Sequence, residues 1–353
     1  MRLEKAVGLL EELNLDALLI VNLTHPFIDP NFEYLLRPKS GVFEYSFLVV
    51  EREGAKLFTS KLEEEAAKEL GVEVRVIKEL KDVLRYLKRL RRVGVNGAVL
   101  NHRISKNLAA LGVALVDVSE ELERIREIKE EDEVEAIRRA VRVTEEAIRR
   151  AIDLDIRRMR EAELAAELVY QIARRGAGLA FEPIVAYDEN AALPHYRTGS
   201  KDRLPEKVVL IDVGARLEHY CADITRTFIL RRDREILEAY ETVLKAQQAA
   251  IDRIREGVTA EEVDAAARKI TEERFPGRFI HSLGHMIGVT VHEGRRLRPG
   301  EKYRLKEGMV FTVEPGVYIP GDFGIRIEDD VVVRENGCEV LSAFPKEVDE
   351  VTL

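Results

Sequence analysis

The sequence predicts a small α/β domain followed by a larger α+β domain whose two halves repeat one layout. Three observations carry this expectation. The chain has 353 residues with 46% hydrophobic content, which suits about two domains of roughly 100 to 200 residues each. The residue pattern changes abruptly near residue 120, and the part beyond it holds two runs of helix, helix and hairpin. The expected domains are 1–120 and 121–353.

In the first part an amphipathic helix is expected near 2–14 and a strand near 16–22, followed by strands near 45–50 and 55–59. A helix near 61–70, a strand over 72–77, a helix near 79–92 and short strands over 93–100 and 113–116 complete an alternating α/β pattern. The basic run Lys88-Arg89-Leu90-Arg91-Arg92 reads as a solvated helix end. From Ser119 onward, EELERIREIKEEDEVEAIRRAVRVTEEAIRRAI is a long charged helical stretch with i, i+4 pairing of Glu and Arg, suited to linking two compact units.

Helices near 131–153 and 160–175 then lead to the strand-like runs VVLIDVGA and YCADITRTFIL. Helices near 234–255 and 260–273 lead to MVFTVEPGVYI and GIRIEDDVVV. Thr259 and Glu262 form a capping box that fixes the start of the last helix. Two such halves imply pseudo-two-fold symmetry with a site between them.

Composition excludes several classes. Charged residues interrupt every apolar run of the opening MRLEKAVGLLEELNLDALLIV well short of the roughly 20 residues needed to span a bilayer, so neither signal peptide nor membrane anchor is expected. Cys221 and Cys338 are the only cysteines, too few for a disulfide scaffold, and a reducing cytoplasm fits them. A net charge of -9 argues against nucleic-acid binding. Charged residues make up 34% of the chain and glutamines are few, a balance expected of a protein working at high temperature.

The chemistry lies in the two hairpins. Asp212 interrupts VVLID, Asp223 interrupts CADITRTF, and their midpoint falls between Leu217 and Glu218. A turn there would set the two carboxylates opposite one another, with Cβ atoms roughly 4.5 to 5.5 Å apart. Glu314 and Glu328 are equidistant from Gly321 and repeat the device. Between the hairpins, HSLGHMIGVTVHEGRR brings His281, His285 and His292 close together. A lone Asp in a strand is ordinarily a bulge or salt-bridge residue, and a lone His is ordinarily structural. Four converging carboxylates without partners would be costly, whereas divalent cations with an imidazole ligand offset the repulsion.

At these residues the chain resembles the pita-bread metallopeptidases, a family that includes prolidase, aminopeptidase P and methionine aminopeptidase, with creatinase as a non-metal relative. LIDVGARLEHYCADITRTF is similar to the family's first ligand segment, HSLGHMIGVTVHE to its histidine segment, and TVEPGVYIP with GIRIEDD to its glutamate segments. The likeness is strong over 120–353 and weaker before it, where Asn31, Tyr34 and Leu35 match a family phrase. It implies a creatinase/prolidase-type N-terminal domain and a pita-bread catalytic domain. It also implies two divalent metal ions, Mn or Co ahead of Zn or Fe, held by Asp212, Asp223, His285, Glu314 and Glu328, with Asp223 and Glu328 bridging. Water between two cations would be deprotonated near neutral pH and attack the scissile carbonyl. Glu314 would shuttle the proton, His195 and His292 would contact substrate and developing negative charge, and Arg326 would brace the site or meet substrate.

The α/β domain in front separates the chain from methionine aminopeptidases. HEGRRL resembles the HE-x-P-R-L phrase of prolidases, so Arg296 would read the free carboxylate of a C-terminal proline, although a surface loop of solvated charge is the bland alternative. The resemblance thus implies hydrolysis of Xaa-Pro dipeptides by a homodimer acting on small peptides. An aminopeptidase P-like enzyme acting on longer peptides is the alternative, and a catalytically silent binding module is a remoter one that the five ligands weigh against. Three residues depart from the family pattern. His219 stands where a glycine is common, so the first turn is expected either to differ or to need a positive φ that histidine adopts reluctantly. Met286 replaces a common glycine and is expected to narrow or reshape the pocket beside His285. Arg295 replaces a common proline and is expected to loosen the arginine loop.

Overall fold

A computed structural model describes residues 2–24 and 27–353. The chain forms two compact units, Met1–Arg126 and Glu127–Leu353. The first holds a six-stranded sheet in the order β4-β3-β2-β1-β5-β6, from β1 (Ala17–Asn22), β2 (Ser46–Glu51), β3 (Gly54–Thr59), β4 (Glu73–Val76), β5 (Arg92–Val95) and β6 (Ala114–Asp117). Its helices are α1 (Arg2–Glu12), α2 (Pro30–Leu36), α3 (Glu64–Ala67), α4 (Leu80–Leu87), α5 (His102–Ala109) and α6 (Ser119–Glu127). Most of α6 stays with this unit, because Arg124 pairs with Glu12 and the Ile125 carbonyl accepts from the Tyr34 hydroxyl.

Several elements differ from expectation. The helix expected near 61–70 is the short α3 plus a 3-10 turn that stops at Gly71, in the left-handed region. The helix expected to reach residue 92 ends at Leu87, since Leu90 turns inward and Arg92 begins β5; Lys88, Arg89, Arg91 and Arg92 are exposed. The helices α2 and α5 were not foreseen. Each is short and N-capped by a side chain, Asp29 and Asn101 respectively.

The second unit has the helices α7 (Glu131–Ile152), α8 (Glu161–Ala173), α9 (Arg234–Arg253) and α10 (Ala260–Arg274). On α7, Val134, Ile137, Val141 and Ile148 are fully buried, the spacing of one helical face. The charged stretch from Ser119 is not one helix. It breaks after Glu127 and restarts at Glu131, where Glu130 and Glu133 form a capping box. Thr259 and Glu262 cap α10 in the same way.

Short strands β7 (Gly178–Leu179) and β8 (Ile184–Tyr187) precede the first hairpin, formed by β9 (Val208–Val213), β10 (Ala215–Leu217), β11 (Tyr220–Cys221) and β12 (Ile224–Ile229). Then come β13 (Gly284–Met286) and β14 (Glu293–Leu297). The second hairpin is β15 (Val310–Val313), β16 (Gly316–Ile319), β17 (Phe323–Arg326) and β18 (Asp329–Arg334), and β19 (Gly337–Val340) follows. The sheets run β12-β9-β8, β11-β10-β7, β14-β13-β15-β18-β19 and β16-β17. Each hairpin arm that reads as one long strand is therefore two short strands in two sheets.

The register of the first hairpin corrects the expected one. Arg216 pairs with Cys221 and Thr225 with Asp212, so the turn is centred one residue later than expected. It is built on Glu218 and His219, at φ 49° and 74°, the left-handed pair a tight hairpin requires. Asp223 is consequently diagonal to Asp212 rather than opposite it. In the second hairpin Val313 pairs with Asp329 and Gly316 with Arg326, which places Glu314 across from Glu328.

Candidate metal centre

Three carboxylates sit where the hairpin strands break. Asp223 lies between β11 and β12, Glu314 between β15 and β16, and Glu328 between β17 and β18. A break frees backbone amides that must find partners. The Asp223 amide donates to Asp330 Oδ2 at 3.1 Å, that of Glu314 to the Leu283 carbonyl at 2.8 Å, and that of Glu328 to the Thr225 carbonyl at 3.0 Å. These bonds stitch the two hairpins and β13 together and fix the directions of the carboxylates. Asp212 comes from the regular strand β9.

His285 is buried on β13, and its Nδ1 lies 3.1 Å from the Met286 carbonyl. A carbonyl only accepts, so Nδ1 carries the hydrogen and Nε2 is left as a ligand atom. Nε2 lies 3.6 Å from both Asp223 Oδ2 and Glu314 Oε1. Asp223, His285 and Glu328 each offer a ligand atom, all within 4.8 Å of one another. Burial, and then the neighbouring His292, hold the His285 imidazole down to about 3, so it stays neutral as a metal ligand must.

The same burial pushes Glu314 up to about 8 and raises Asp223 and Glu328 well above the usual carboxylate range, with the mutual repulsion of the cluster adding to it. Asp212 Oδ1 and Asp223 Oδ1 are buried without a hydrogen-bond donor. Such orphaned acceptors cost about 1–3 kcal/mol each. Divalent cations would satisfy them and remove the repulsion, so this donor set of carboxylates plus one imidazole fits divalent metal binding.

A cavity of about 350 Å³ is lined by Asp212, Asp223, His285, Glu314 and Glu328 together with His195, His292, Arg296 and Arg326. Arg326 is buried and bonds Asp212 through Nη2, the Tyr318 hydroxyl at 3.0 Å and Thr225 Oγ1 at 3.1 Å. Thr225 passes its own hydrogen to Glu328 at 2.6 Å. His195 and His292 are exposed on the cavity wall, and the His292 ring meets the His285 ring edge-on at 4.3 Å. Arg296 pairs across the strands with His285. It therefore belongs to a strand beside the cluster rather than to a loop of solvated charge.

Two expectations about the departures are corrected. Met286 does not narrow the cavity: it alternates with His285 along β13 and is fully buried in the core with Phe311 and Val331. Arg295 does not leave its segment loose, because Nε donates to Glu127 at 2.6 Å and the guanidinium stacks on Tyr303 at 4.9 Å.

Sequence reasoning passed over Thr225, Thr312, Tyr318 and Asp330, and gave His281 a place in the histidine cluster but no role. Thr312 Oγ1 accepts from the His285 amide at 3.1 Å, and His281 Nε2 lies 2.8 Å from the Tyr318 hydroxyl. Strand alternation from Asp223 to Thr225 and from Glu314 to Tyr318 by way of Gly316 was the available signal. A Cβ on Gly316 would lie 2.5 Å from the Tyr318 hydroxyl oxygen.

Residues 135–335 match the profile of metallopeptidase family M24, and residues 2–128 match that of the creatinase/prolidase N-terminal domain. A Xaa-Pro dipeptidase of Pyrococcus furiosus is 34% identical over 98% of this chain and 99% of its own length. The crystal structure of the prolidase from Pyrococcus horikoshii superposes with a TM-score of 0.89 at 32% identity, over 98% of this chain and 99% of that one. The X-Pro aminopeptidase from Thermotoga maritima gives 0.91 at 31% identity, over the whole of both chains. Together with the carboxylate and histidine cluster, these likenesses establish that the chain belongs to metallopeptidase family M24, behind a creatinase/prolidase N-terminal domain.

Proposed function

We propose that this chain hydrolyses the Xaa-Pro bond of dipeptides, with Asp212, Asp223, His285, Glu314 and Glu328 holding two divalent cations. Asp223 and Glu328 each offer a ligand atom within 4.8 Å of the other and of His285, and on the family resemblance they would be the carboxylates shared between the ions. Mn or Co suits so many carboxylates. When bound, such ions supply an acidified water as nucleophile and polarise the scissile carbonyl. On the family resemblance, Glu314 would take and return the proton at a carboxylate oxygen. His195 and His292 donate hydrogen bonds to the substrate and to the charge that develops on it. Arg326 fixes Asp212 and Glu328, the latter through Thr225.

The observation that carries the dipeptide reading is the position of Arg296 on β14, across from His285 at the cavity wall. A guanidinium beside the reacting centre suits the free carboxylate of a C-terminal proline. Cys221 and Cys338 are not joined in a disulfide, in keeping with a reducing cytoplasm, and a homodimer belongs to the same reading on the family resemblance. No helix among the described residues is long and apolar enough to cross a membrane.

The test is product analysis on Met-Pro and on a longer Xaa-Pro-Yaa peptide, with the wild type and Arg296→Gln. Cleavage confined to Met-Pro, weakened in the variant mainly through KM, is the expected result. Equal or better cleavage of the longer peptide would replace this reading with an aminopeptidase like that of Thermotoga maritima.

A further inference from the structure

We propose that Glu127 and Lys129, at the break between α6 and α7, are positioning residues that grip β14 and set His292 and Arg296 against the substrate. This rests on the proposed role of Arg296, and it names what determines the specificity of that site.

Lys129 is almost completely buried although it lies in a helix-to-helix connection. Its side chain is 1% exposed and Nζ lies 3.0 Å from Glu293 Oε1, on a side chain that is 2% exposed. A buried ion pair survives only with its remaining atoms satisfied, and the other oxygen of Glu293 does specific work. Oε2 accepts from the amides of Val289 at 3.0 Å and Thr290 at 3.4 Å. Glu293 thus folds residues 288–293 around its own carboxylate. Gly288 leaves room for it, since a Cβ there would lie 2.7 Å from Oε1. His292 projects from the end of this loop, with its carbonyl accepting from Thr290 Oγ1 at 3.0 Å.

Two residues further along β14, Glu127 pairs with Arg295 at 2.6 Å. The connection therefore holds Glu293 and Arg295, and the residues immediately beside them, His292 and Arg296, line the cavity. The connection is itself anchored, because the Lys129 amide donates to the Gly308 carbonyl at 2.9 Å. Gly308 sits at φ +83°, and a Cβ there would lie 2.9 Å from the Lys129 carbonyl oxygen. The Glu127–Arg295 pair, with the Arg295 guanidinium stacked on Tyr303, stiffens this part of β14. Neither Glu127 nor Lys129 lines the cavity. Both act through the residues they hold.

The experiment compares the wild type with Lys129→Met, Lys129→Arg and Glu127→Gln, with Arg296→Gln as reference. One readout is hydrogen exchange over residues 288–297. The other is KM and kcat on Met-Pro and on its C-terminal amide. Lys129→Met is expected to lose exchange protection at Val289 and Thr290 while α9 keeps its own. Its kcat/KM on Met-Pro should fall by up to about a hundredfold, the scale of a misplacement near 1 Å, and Lys129→Arg should recover most of it. Glu127→Gln should raise KM for Met-Pro, with kcat and the amide substrate unaffected.

Unchanged exchange and unchanged KM in Lys129→Met and Glu127→Gln, with only a lower melting temperature, would overturn the clamp. If Arg296→Gln leaves the acid-to-amide ratio unchanged, the dipeptide reading falls, and exchange over 288–297 alone decides the clamp. If Lys129→Met does not fold, Glu127→Gln decides it by the same readouts.

Discussion

Replacing Arg226 by methionine tests how the ligand hairpins are held. Arg226 is fully buried between β12 and β18. Its Nη2 donates to Asp329 Oδ1 at 2.7 Å, and Lys346 Nζ holds Oδ2 of the same carboxylate at 2.5 Å. Its remaining donors reach the carbonyls of Thr225, Glu328, Phe344 and Pro345. Methionine keeps much of the volume, removes all of these bonds and leaves Asp329 with Lys346 alone. Breaking one side of a buried pair costs about 3–5 kcal/mol. For a unit the size of Glu127–Leu353, each kcal/mol lowers Tm by about 2–4 °C, so the expected fall is about 6–20 °C. Thermal unfolding followed by circular dichroism in chelator measures it without metal stabilisation. Adding Asp329→Leu should recover part of the loss, because the stranded carboxylate is then gone and Lys346 can reach solvent. A fall below about 2 °C would refute the reasoning.

Three further outcomes follow from the structure. Glu314, raised to about 8 by burial in the metal-free cluster, together with Asp223 and Glu328, must lose protons to bind cations. Metal affinity should therefore rise with pH up to about 8, and titration calorimetry in buffers of different ionisation heat should show proton release. A group whose folded value lies above its ordinary 4.5 holds a proton that the unfolded chain has lost, so the contribution of Glu314 to the stability of the metal-free form should fall as pH rises from 4.5 towards 8, against the opposite slope of the buried His285 below its ordinary 6.5. Gly324→Ala would put a Cβ 1.9 Å from the Ala191 carbonyl oxygen, in the turn leading to His195, and should cost about 1–3 kcal/mol by overpacking. Gly337→Ala, with open space around it, should leave Tm in place.

Much of the fold was legible because periodicity reports burial directly. The four long helices α7 to α10 and the strands of both hairpins lie where apolar spacing placed them. What escaped was set by contacts distant in sequence. Counting inward from Asp212 and Asp223 put the first turn one residue early, because Glu218 and His219 both take left-handed backbone that the letters do not announce. The same counting gave the second hairpin its register, because Gly321 marks that turn, at φ 77°. The long strand-like runs hid their breaks: Asp223, Glu314 and Glu328 look like interruptions in a strand but are the points where one sheet hands over to another. Met286 was misread because its neighbour His285 faces the cavity and alternation turns Met286 to the core. Nothing local in the charged stretch marked Lys129 as buried, since its partner Glu293 is 164 residues away.

The most direct measurement takes chelator-stripped protein, returns Mn or Co in counted equivalents, and follows release of free proline from Met-Pro. The account expects no release without metal, a rise that levels off at two equivalents per chain, and loss of both binding and release in Glu328→Gln. Tight binding of two ions with no cleavage of Met-Pro or of any longer Xaa-Pro peptide would contradict it.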